Sequence, residues 1–460
     1  MGFSHPWLPN STPKILKEML EAIGVESPEE LFSDIPEELR LKKPLNVGAG
    51  HPLSEAEVAE DLEEKASKTL SCKDLLCFAG GLAYHYVPVA IRAIISRSEF
   101  YTSYTPYQPE ISQGVLQALF EYQSLMAELL EMDVVNASMY DGSTALAEAF
   151  LMAVRVTRRS KVLVPGTMNP DYLRVVETIT RPHGVKVERI GFNRRTGLMD
   201  LDDLKAKVGG AAAVYVEVPS FLGPIEEQLD EISDITHASN ALLVVGVDPI
   251  SLGVLRPPGD YGADIVVGEG QPLGLGLNYG GPLLGIFAVR GDMKLIRQMP
   301  GRLIGMTTTL DGYQRGFTMI LQTREQHIRR EKATSNICTN EALCAITAAV
   351  YLSLLGPHGL RRLGEEIITR SHYAASKINE LDGYEAPALK SSFFKQFVVR
   401  ALKTEASKVR DSLLRKGVLV GPVVTRDFGW LGESFVLCVT EVHSRKDIDF
   451  LVESLEEVVE

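Results

Sequence analysis

The sequence lacks the short motifs of several common enzyme classes. It contains no Gly-Lys dipeptide, which excludes the phosphate-binding loop of nucleotide hydrolases. Neither His-Glu-x-x-His nor Gly-x-Ser-x-Gly occurs, which argues against a zinc peptidase and an α/β-hydrolase. The glycine-rich run 268–285 has Tyr279 where a dinucleotide fingerprint needs its third glycine. We interpret that run as a turn-rich connection between two strands.

Positive charge and long apolar runs are also scarce. Lysine and arginine total 47 against 60 aspartates and glutamates, which gives a net charge of −13 over 460 residues. A chain of this charge repels phosphate backbones and anionic lipid surfaces. We find no uninterrupted apolar run of the roughly 18 to 20 residues that spans a bilayer. The sequence therefore predicts neither a nucleic-acid partner nor a membrane.

The five cysteines form no Cys-x-x-Cys pair that would bind zinc or exchange a disulfide. We interpret them as reduced core residues and expect no metal site. The first residues show neither a basic start nor an apolar segment typical of a secretion signal. We therefore expect a cytoplasmic protein.

Residues 1–75 are predicted to form a separate helical arm. They contain fifteen acidic and eight basic side chains, and so carry seven of the thirteen excess negative charges. Ser27 with Glu30, and Ser54 with Glu57, have the spacing of capping boxes, in which serine and glutamate satisfy each other's backbone amides.

Residues 76–330 alternate short β-branched runs with helical stretches, which is typical of a mainly parallel sheet covered by helices on both faces. The predicted strands are Lys161–Val164, Val185–Gly191, Ala212–Val218, Leu242–Val247, Asp264–Val267 and Leu284–Val289. Residues 331–460 are predicted to form a smaller α+β domain. It has a helix that ends at Gly356-Pro357 and two later strands, Gln396–Ala401 and Phe435–Thr440.

Two motifs in the large domain suit a phosphorylated cofactor. A helix start with free amides and hydroxyls suits a phosphate, and the chain has one at Asp141, Gly142, Ser143 and Thr144. Asp248 follows a buried strand, where a carboxylate can pair with a protonated ring nitrogen. An ordinary helix cap and an ordinary turn are the alternatives.

Together these motifs resemble the large domain of fold-type I pyridoxal-phosphate enzymes. The resemblance implies a mainly parallel, seven-stranded sheet flanked by helices. Such enzymes hold the cofactor on a lysine, but this chain has no lysine between Lys207 and Lys294. Covalent chemistry therefore cannot start from a lysine there, and we expect a vestigial cofactor pocket.

Three longer segments resemble the glycine cleavage system P-protein family, the decarboxylating glycine dehydrogenases. They are FYTSYTPYQPEISQG at 100–114, NASMYDG at 136–142 and QTREQHIRREKATSNICT at 322–339. The resemblance extends from near the start to near the end of the chain. The length matches one half of the single-chain form, so the chain looks like subunit 1 of the two-subunit form.

The resemblance implies partners and a reaction. The chain would join a lysine-bearing subunit 2 in an α₂β₂ heterotetramer, and subunit 2 would bind pyridoxal phosphate covalently. The assembled enzyme would decarboxylate glycine and pass the aminomethyl group to the lipoyl group of H-protein. The missing lysine is then expected.

Two sets of residues are candidates for roles in the assembled enzyme. The first would reach into the partner's active site: Tyr101, Thr102, Tyr104, Tyr107 and Glu110. Its alternative is an interface loop whose tyrosines only pack. The second would contact an anion or carboxylate: Arg324, His327, Arg329 and Lys332. Its alternative is a solvated helix face with a structural histidine.

Three functional hypotheses remain open from the sequence. The chain is a catalytically incomplete enzyme subunit, or a structural or regulatory pseudoenzyme that stabilises subunit 2. In the third hypothesis it works alone with a lysine from elsewhere, such as Lys294 or Lys332.

Overall fold

A computed structural model describes residues 7–43, 47–48, 51, 53–103, 105–335, 337 and 341–459. The chain divides into two compact units between Leu70 and Ser71. The division at residues 75 and 330 stays a prediction.

The smaller unit contains helices α1 (Pro13–Ile23) and α2 (Glu55–Ser67). Both capping boxes predicted there are present. The Glu57 carboxylate accepts from the Ser54 amide at 2.7 Å, and the Glu30 carboxylate accepts from the Ser27 amide at 3.0 Å. The box at Ser27 begins a five-residue 3-10 helix rather than an α-helix.

The first elements of the larger unit include the seven strands of the central sheet and, before them, one strand of a separate two-stranded sheet. In chain order these are β1 (Leu76–Cys77), α3 (Val89–Ile95), α4 (Ser98–Tyr101), α5 (Pro109–Leu130), β2 (Val134–Val135), α6 (Gly142–Thr157), β3 (Lys161–Pro165), α7 (Pro170–Thr180), β4 (Lys186–Ile190), α8 (Leu201–Lys207), β5 (Ala211–Val218), α9 (Leu229–Ala238), β6 (Leu242–Val247), β7 (Ile265–Glu269) and β8 (Gly285–Val289).

A hairpin, short helices and the C-terminal part follow. They are α10 (Met293–Ile296), β9 (Leu303–Thr308), β10 (Arg315–Ile320), α11 (Gln326–Arg329), α12 (Ala342–Asn379), β11 (Tyr384–Glu385), β12 (Gln396–Ala401), α13 (Ala406–Arg415), β13 (Val418–Leu419), β14 (Ser434–Cys438) and α14 (Arg445–Val459).

The central sheet has seven strands in the order β2-β8-β7-β6-β5-β3-β4. Strands β4, β3, β5, β6 and β7 run parallel, and β8 is antiparallel to its neighbours. All residues of β5 and β6 are buried because apolar clusters cover both faces of the sheet. The six predicted strands lie within two residues of the observed bounds. The fold-type I architecture is confirmed.

The parallel strands bring three carboxyl ends to one edge of the sheet, beside the start of α6. Glu217 lies near the end of β5, Asp248 follows β6 and Glu269 ends β7. The glycine-rich run connects β7 to β8, as predicted, and Gly274 adopts a φ of +90° in it. Open α/β sheets bind ligands at this edge.

The C-terminal part combines the antiparallel sheet β11-β12-β14 with α13 and α14, which agrees with the predicted α+β pattern. Helix α12 contains Gly356 at φ 59° and ψ 179°, so its helical geometry is interrupted at the predicted Gly356-Pro357 stop. Among the described helices, α12 alone is long and apolar enough to cross a membrane. Half of its most apolar window is buried in the fold, as in a core helix.

Four of the five cysteines fall within the described residues, and all four are free thiols. Cys77, Cys344 and Cys438 are buried, whereas Cys72 is half-buried. Cys338 lies outside the described residues. Over the part of the chain that the structure describes, no group of three or more His, Cys, Asp or Glu side chains could hold a metal ion.

Truncation of Phe150 tests the core between α6 and the sheet. Its fully buried ring contacts the Tyr215 ring edge-on, with centroids 6.1 Å apart. We expect Phe150→Ala to lower the free energy of unfolding by about 3 to 5 kcal/mol, measured by urea denaturation. Phe450→Ala, whose ring is 42% exposed, is the control and should cost less than half as much. Equal losses would contradict this packing.

Candidate functional site

The principal cavity lies at the carboxyl edge of the central sheet and has a volume of about 670 Å³. We call it the sheet-edge cavity. Its charged lining residues are Asp141, Asp171, Glu217, Asp248, Glu269 and Lys395. Of the five residues predicted for the vestigial pocket, four line it: Asp141, Gly142, Ser143 and Asp248. The fifth, Thr144, lies one residue further along α6.

Two carboxylates occupy the amides at the start of α6. Asp141 Oδ1 accepts from the Ser143 amide at 2.7 Å and from the Thr144 amide at 3.0 Å. Glu269 Oε2 accepts from the Gly142 amide at 3.0 Å. Only glycine fits at 142, because a Cβ there would lie 2.6 Å from the Tyr172 hydroxyl. The predicted helix start is therefore capped by the chain itself.

Asp248 is bound to a lysine that sequence reasoning missed. Its Oδ2 lies 2.5 Å from Lys395 Nζ, and Nζ also lies 3.1 Å from His85 Nε2. Burial alone would lower the pKa of Lys395, but Asp248, together with Cys438 and Glu441, more than offsets burial, and the pKa is raised. Lys395 is therefore held as an ammonium and is not a free amine nucleophile.

Glu217 and Glu269 are acids whose affinity for protons is altered by the fold. Burial raises the pKa of Glu217 to about 7, although the Phe221 amide, the Tyr215 hydroxyl and the Asn169 amide act in the opposite direction. Burial likewise raises the pKa of Glu269 to about 7, against donors that include Gly142. Both side chains therefore exchange protons near neutral pH.

The sheet-edge cavity does not fit pyridoxal phosphate. A phosphate needs the amides at the start of α6, but Asp141 and Glu269 already accept from them. A pyridinium needs the Asp248 carboxylate, but Lys395 holds it. Among the described residues that line the cavity, Lys395 is the one basic side chain. A phosphate dianion would therefore meet mainly negative charge.

A second cavity, of about 540 Å³, lies beside α11. We call it the arginine cavity, lined by Tyr107, Arg302, Glu325 and His327 among others. Arg302 is only 4% exposed and donates to the Tyr107 hydroxyl at 2.6 Å, while its Nε lies 3.3 Å from Glu325 Oε2. The guanidinium also lies over the Tyr107 ring, 4.9 Å from its centroid. The His327 ring packs edge-on against Tyr107, with centroids 5.9 Å apart.

Of the other members of the tyrosine segment, the three that the structure describes do not line the arginine cavity. Tyr101 ends α4 and is 71% exposed. The Thr102 hydroxyl donates to the Ser98 carbonyl at 2.6 Å. Glu110 is exposed in the first turn of α5. Tyr104 lies outside the described residues.

The basic residues predicted to bind an anion have different environments. Arg324 is buried and donates to the backbone carbonyls of Leu321, Met299 and Gly301, so its guanidinium is used within the fold. Arg329 donates to the Thr323 carbonyl at 3.0 Å. Lys332 is exposed. Only His327 of this set lines the arginine cavity.

Sequence reasoning missed Arg302, Glu217, Glu269 and Lys395. Glu269 lies in the stretch where a cofactor lysine was expected, but no local pattern marks its contact with α6. Lys395 meets Asp248 across 147 residues of sequence, and Arg302 meets Tyr107 across 195. Such pairings depend on the tertiary fold and leave no periodic signal in the chain.

Replacing Glu217 with glutamine tests its altered proton affinity. The folded-state pKa is about 7 against an ordinary 4.5. This group therefore stabilises the fold below pH 4.5 and loses that contribution as the pH rises to about 7, by roughly 3 kcal/mol at most. Glu217→Gln can keep the Phe221 contact and donate to Tyr215. We expect a shallower fall in melting temperature between pH 4.5 and 8; an unchanged slope would refute the shift.

Comparison with known proteins identifies the family. The model of the glycine cleavage system P-protein family matches residues 7–455. A protein named "Probable glycine dehydrogenase (decarboxylating) subunit 1" from Staphylothermus marinus is 55% identical, over 99% of this chain and 98% of its own length. The protein of the same name from Aeropyrum pernix is 53% identical, over 99% of each chain.

Solved structures agree. A glycine decarboxylase (P-protein) of the glycine cleavage system, in inhibitor-bound form, superimposes with a TM-score of 0.88 and 39% identity over the full length of both chains. A cysteine desulfurase from Thermococcus onnurineus shares the fold at a TM-score of 0.61 and 18% identity, over 84% of this chain and 95% of its own. The chain therefore belongs to the glycine cleavage system P-protein family.

Proposed function

We propose that this chain acts as subunit 1 of a two-subunit glycine decarboxylase in the cytoplasm. Its partner, subunit 2, would hold pyridoxal phosphate covalently in an α₂β₂ heterotetramer. The assembled enzyme would decarboxylate glycine and transfer the aminomethyl group to the lipoyl group of H-protein. Relatives named as subunit 1 match the chain over nearly its full length, which supports this assignment.

One observation carries the proposed role of this chain within the enzyme. Two of the segments that resemble the family, 100–114 and 322–339, meet at the arginine cavity through Tyr107 and His327. Almost 220 residues of sequence separate these rings. A cavity on the surface of the larger unit is a natural place to complete a partner's active site.

The side chains of the arginine cavity would position polar groups by hydrogen bonds and charge. Arg302 fixes the Tyr107 hydroxyl and one oxygen of Glu325. The other oxygen, Glu325 Oε1, is buried and has no hydrogen-bond partner within the described part of the chain. His327 Nδ1 lies 3.7 Å from Glu325 Oε2. Glu325 Oε1 would accept an N–H or O–H donor of a reactant there, and Arg302 would keep the carboxylate in place.

Pyridoxal phosphate, when bound by subunit 2, supplies the electron sink for loss of CO₂ from glycine. This chain would contribute no covalent bond to that cofactor. Its side chains would instead close the reaction site against water and orient polar groups of the reactants.

Removing the Tyr107 hydroxyl tests this role. In the complex with subunit 2, we expect Tyr107→Phe to lower kcat for exchange of bicarbonate carbon into glycine about tenfold, because the charge-assisted bond from Arg302 is lost. Assembly, followed by size-exclusion chromatography, should not change. Tyr373→Phe removes one hydroxyl bond to Asp449 far from the arginine cavity in sequence, and should keep full activity.

The pseudoenzyme alternative predicts a different result. A purely structural subunit would lose neither turnover nor assembly when Tyr107 becomes phenylalanine. An unchanged kcat in a correctly assembled complex would therefore overturn the catalytic contribution and favour that alternative.

Covalent trapping tests whether the chain works alone. Lys294 and Lys332 are exposed and do not line the sheet-edge cavity, and Lys395 is held as an ammonium by Asp248. We expect the isolated chain, mixed with pyridoxal phosphate and reduced with borohydride, to give no labelled peptide from that cavity. Subunit 2 is the positive control. A label on Lys395 would show that the chain can bind the cofactor itself.

A further inference from the structure

We propose that the sheet-edge cavity of this chain is a binding site for a small organic cation, a primary ammonium with a short apolar tail. The inference goes beyond the proposed decarboxylase function and does not depend on it. It concerns the cavity that contains most of the residues predicted to hold pyridoxal phosphate but that does not suit that cofactor.

The lining of the sheet-edge cavity has more acidic than basic side chains. Five carboxylates and one lysine line the cavity among the described residues. Lys395 pairs with Asp248, and Arg174 pairs with Asp171. The acids that remain without a cationic partner in the cavity are Asp141, Glu217 and Glu269. Asp141 and Glu269 accept from the amides at the start of α6, so Glu217 is the lining carboxylate that has neither a cation nor a helix N-terminus beside it. A cation that enters would be attracted to it in a partly desolvated space.

The described lining also contains a buried hydrogen-bond acceptor without a partner, the side-chain oxygen of Gln271. Gln271 lines the cavity and is only 1% exposed. Its Nε2 donates to the Gly276 carbonyl at 3.0 Å, but its Oε1 has no hydrogen-bond partner in the described part of the chain. A buried acceptor without a donor costs about 1 to 3 kcal/mol, so a ligand that supplies an N–H would relieve that cost.

The volume of the cavity and its apolar side chains suit a small ligand with an alkyl tail. A volume of about 670 Å³ is within the range of small-molecule sites. The walls include the apolar side chains of Val175, Val247, Val267, Leu283 and Phe221. These surfaces suit an alkyl chain, and the described residues contain no cluster able to hold a metal ion. The ligand is therefore an organic cation.

Competing ligand classes fit less well. A phosphate meets the carboxylates of Asp141 and Glu269, which already accept from the amides of α6. A zwitterionic amino acid such as glycine needs a cation for its carboxylate, but Lys395 is bound to Asp248, and the unpartnered Ser220 hydroxyl is only a neutral donor. A primary ammonium needs acceptors only, which this lining has in excess.

The two acids with raised pKa supply a measurable signature. Around Glu269 stand the titratable groups Asp141, Tyr122, Tyr172 and Cys344, and around Glu217 stand Tyr172 and Tyr215. The neutral pair of Asp248 and Lys395 completes the lining. At pH 6 most Glu217 and Glu269 carboxyls are protonated, whereas at pH 8 most are ionised. Cation binding at neutral pH must therefore release protons.

The experiment is isothermal titration of the full chain with n-butylammonium chloride. We expect saturable binding at pH 8 that weakens about tenfold at pH 6, together with proton release at pH 7 seen as heats that differ between phosphate and HEPES buffers. Glu217→Gln should weaken binding at least tenfold at pH 8. The control Glu453→Gln, an exposed acid on α14, should bind as the unaltered chain does. Melting temperatures verify that both variants fold.

Parallel titrations with 1-butanol, glycine, inorganic phosphate and pyridoxal phosphate separate the ligand classes, and we expect none of them to bind in this cavity. We expect a Kd of about 1 mM, and the titration extends to about 20 mM, roughly twenty times that value. The proposal is overturned if n-butylammonium shows no saturable binding in this range. It is also overturned if Glu217→Gln binds as tightly as the control, or if 1-butanol or pyridoxal phosphate competes for the cavity.

Discussion

The amides at the start of α6 are held by carboxylates of the same chain, Asp141 and Glu269, and most features of the site follow from that contact. The backbone amides at a helix N-terminus attract an anion, and here the carboxylates of Asp141 and Glu269 accept their hydrogen bonds. The requirement for glycine at 142 follows, because Tyr172 and the end of β7 approach the helix closely. The helix start is fixed in geometry, but its amides have no capacity left for a phosphate.

This contact also determines the electrostatics of the cavity. Glu269 stands at the end of β7, in the stretch where a cofactor-binding lysine was expected, so this edge of the sheet carries an acid there. Lys395 provides the cavity's ammonium from another part of the fold, but Asp248 neutralises it. The chain therefore has the fold-type I architecture, but its own side chains occupy the two groups that pyridoxal phosphate would need. The amides of α6 bind Asp141 and Glu269, and Asp248 binds Lys395. We propose that a second chain supplies the covalent chemistry of the family and that the arginine cavity helps to complete its site.

The sequence predicted more of the fold than of the site. The strands of the parallel sheet were found within two residues because their burial on both faces leaves nearly continuous apolar runs, and Gly356-Pro357 interrupts α12 as glycine and proline do. Asp141 and Asp248 were found because both follow from local position. Lys395, Arg302 and the raised pKa values of Glu217 and Glu269 were not found, because each depends on groups that only the tertiary fold brings together. The role of Arg324 as an anion contact stays a prediction. Its bonds to three backbone carbonyls were not foreseen, because they too depend on the tertiary fold.

This chain has the fold of a pyridoxal-phosphate enzyme, and we propose that it does not hold the cofactor. The most direct measurement is the phosphorus content of the purified complex with subunit 2 after saturation with pyridoxal phosphate and removal of excess, set against the protein concentration. The account predicts one cofactor for each pair of unlike subunits. A ratio of one cofactor per chain would place pyridoxal phosphate in the sheet-edge cavity and contradict it.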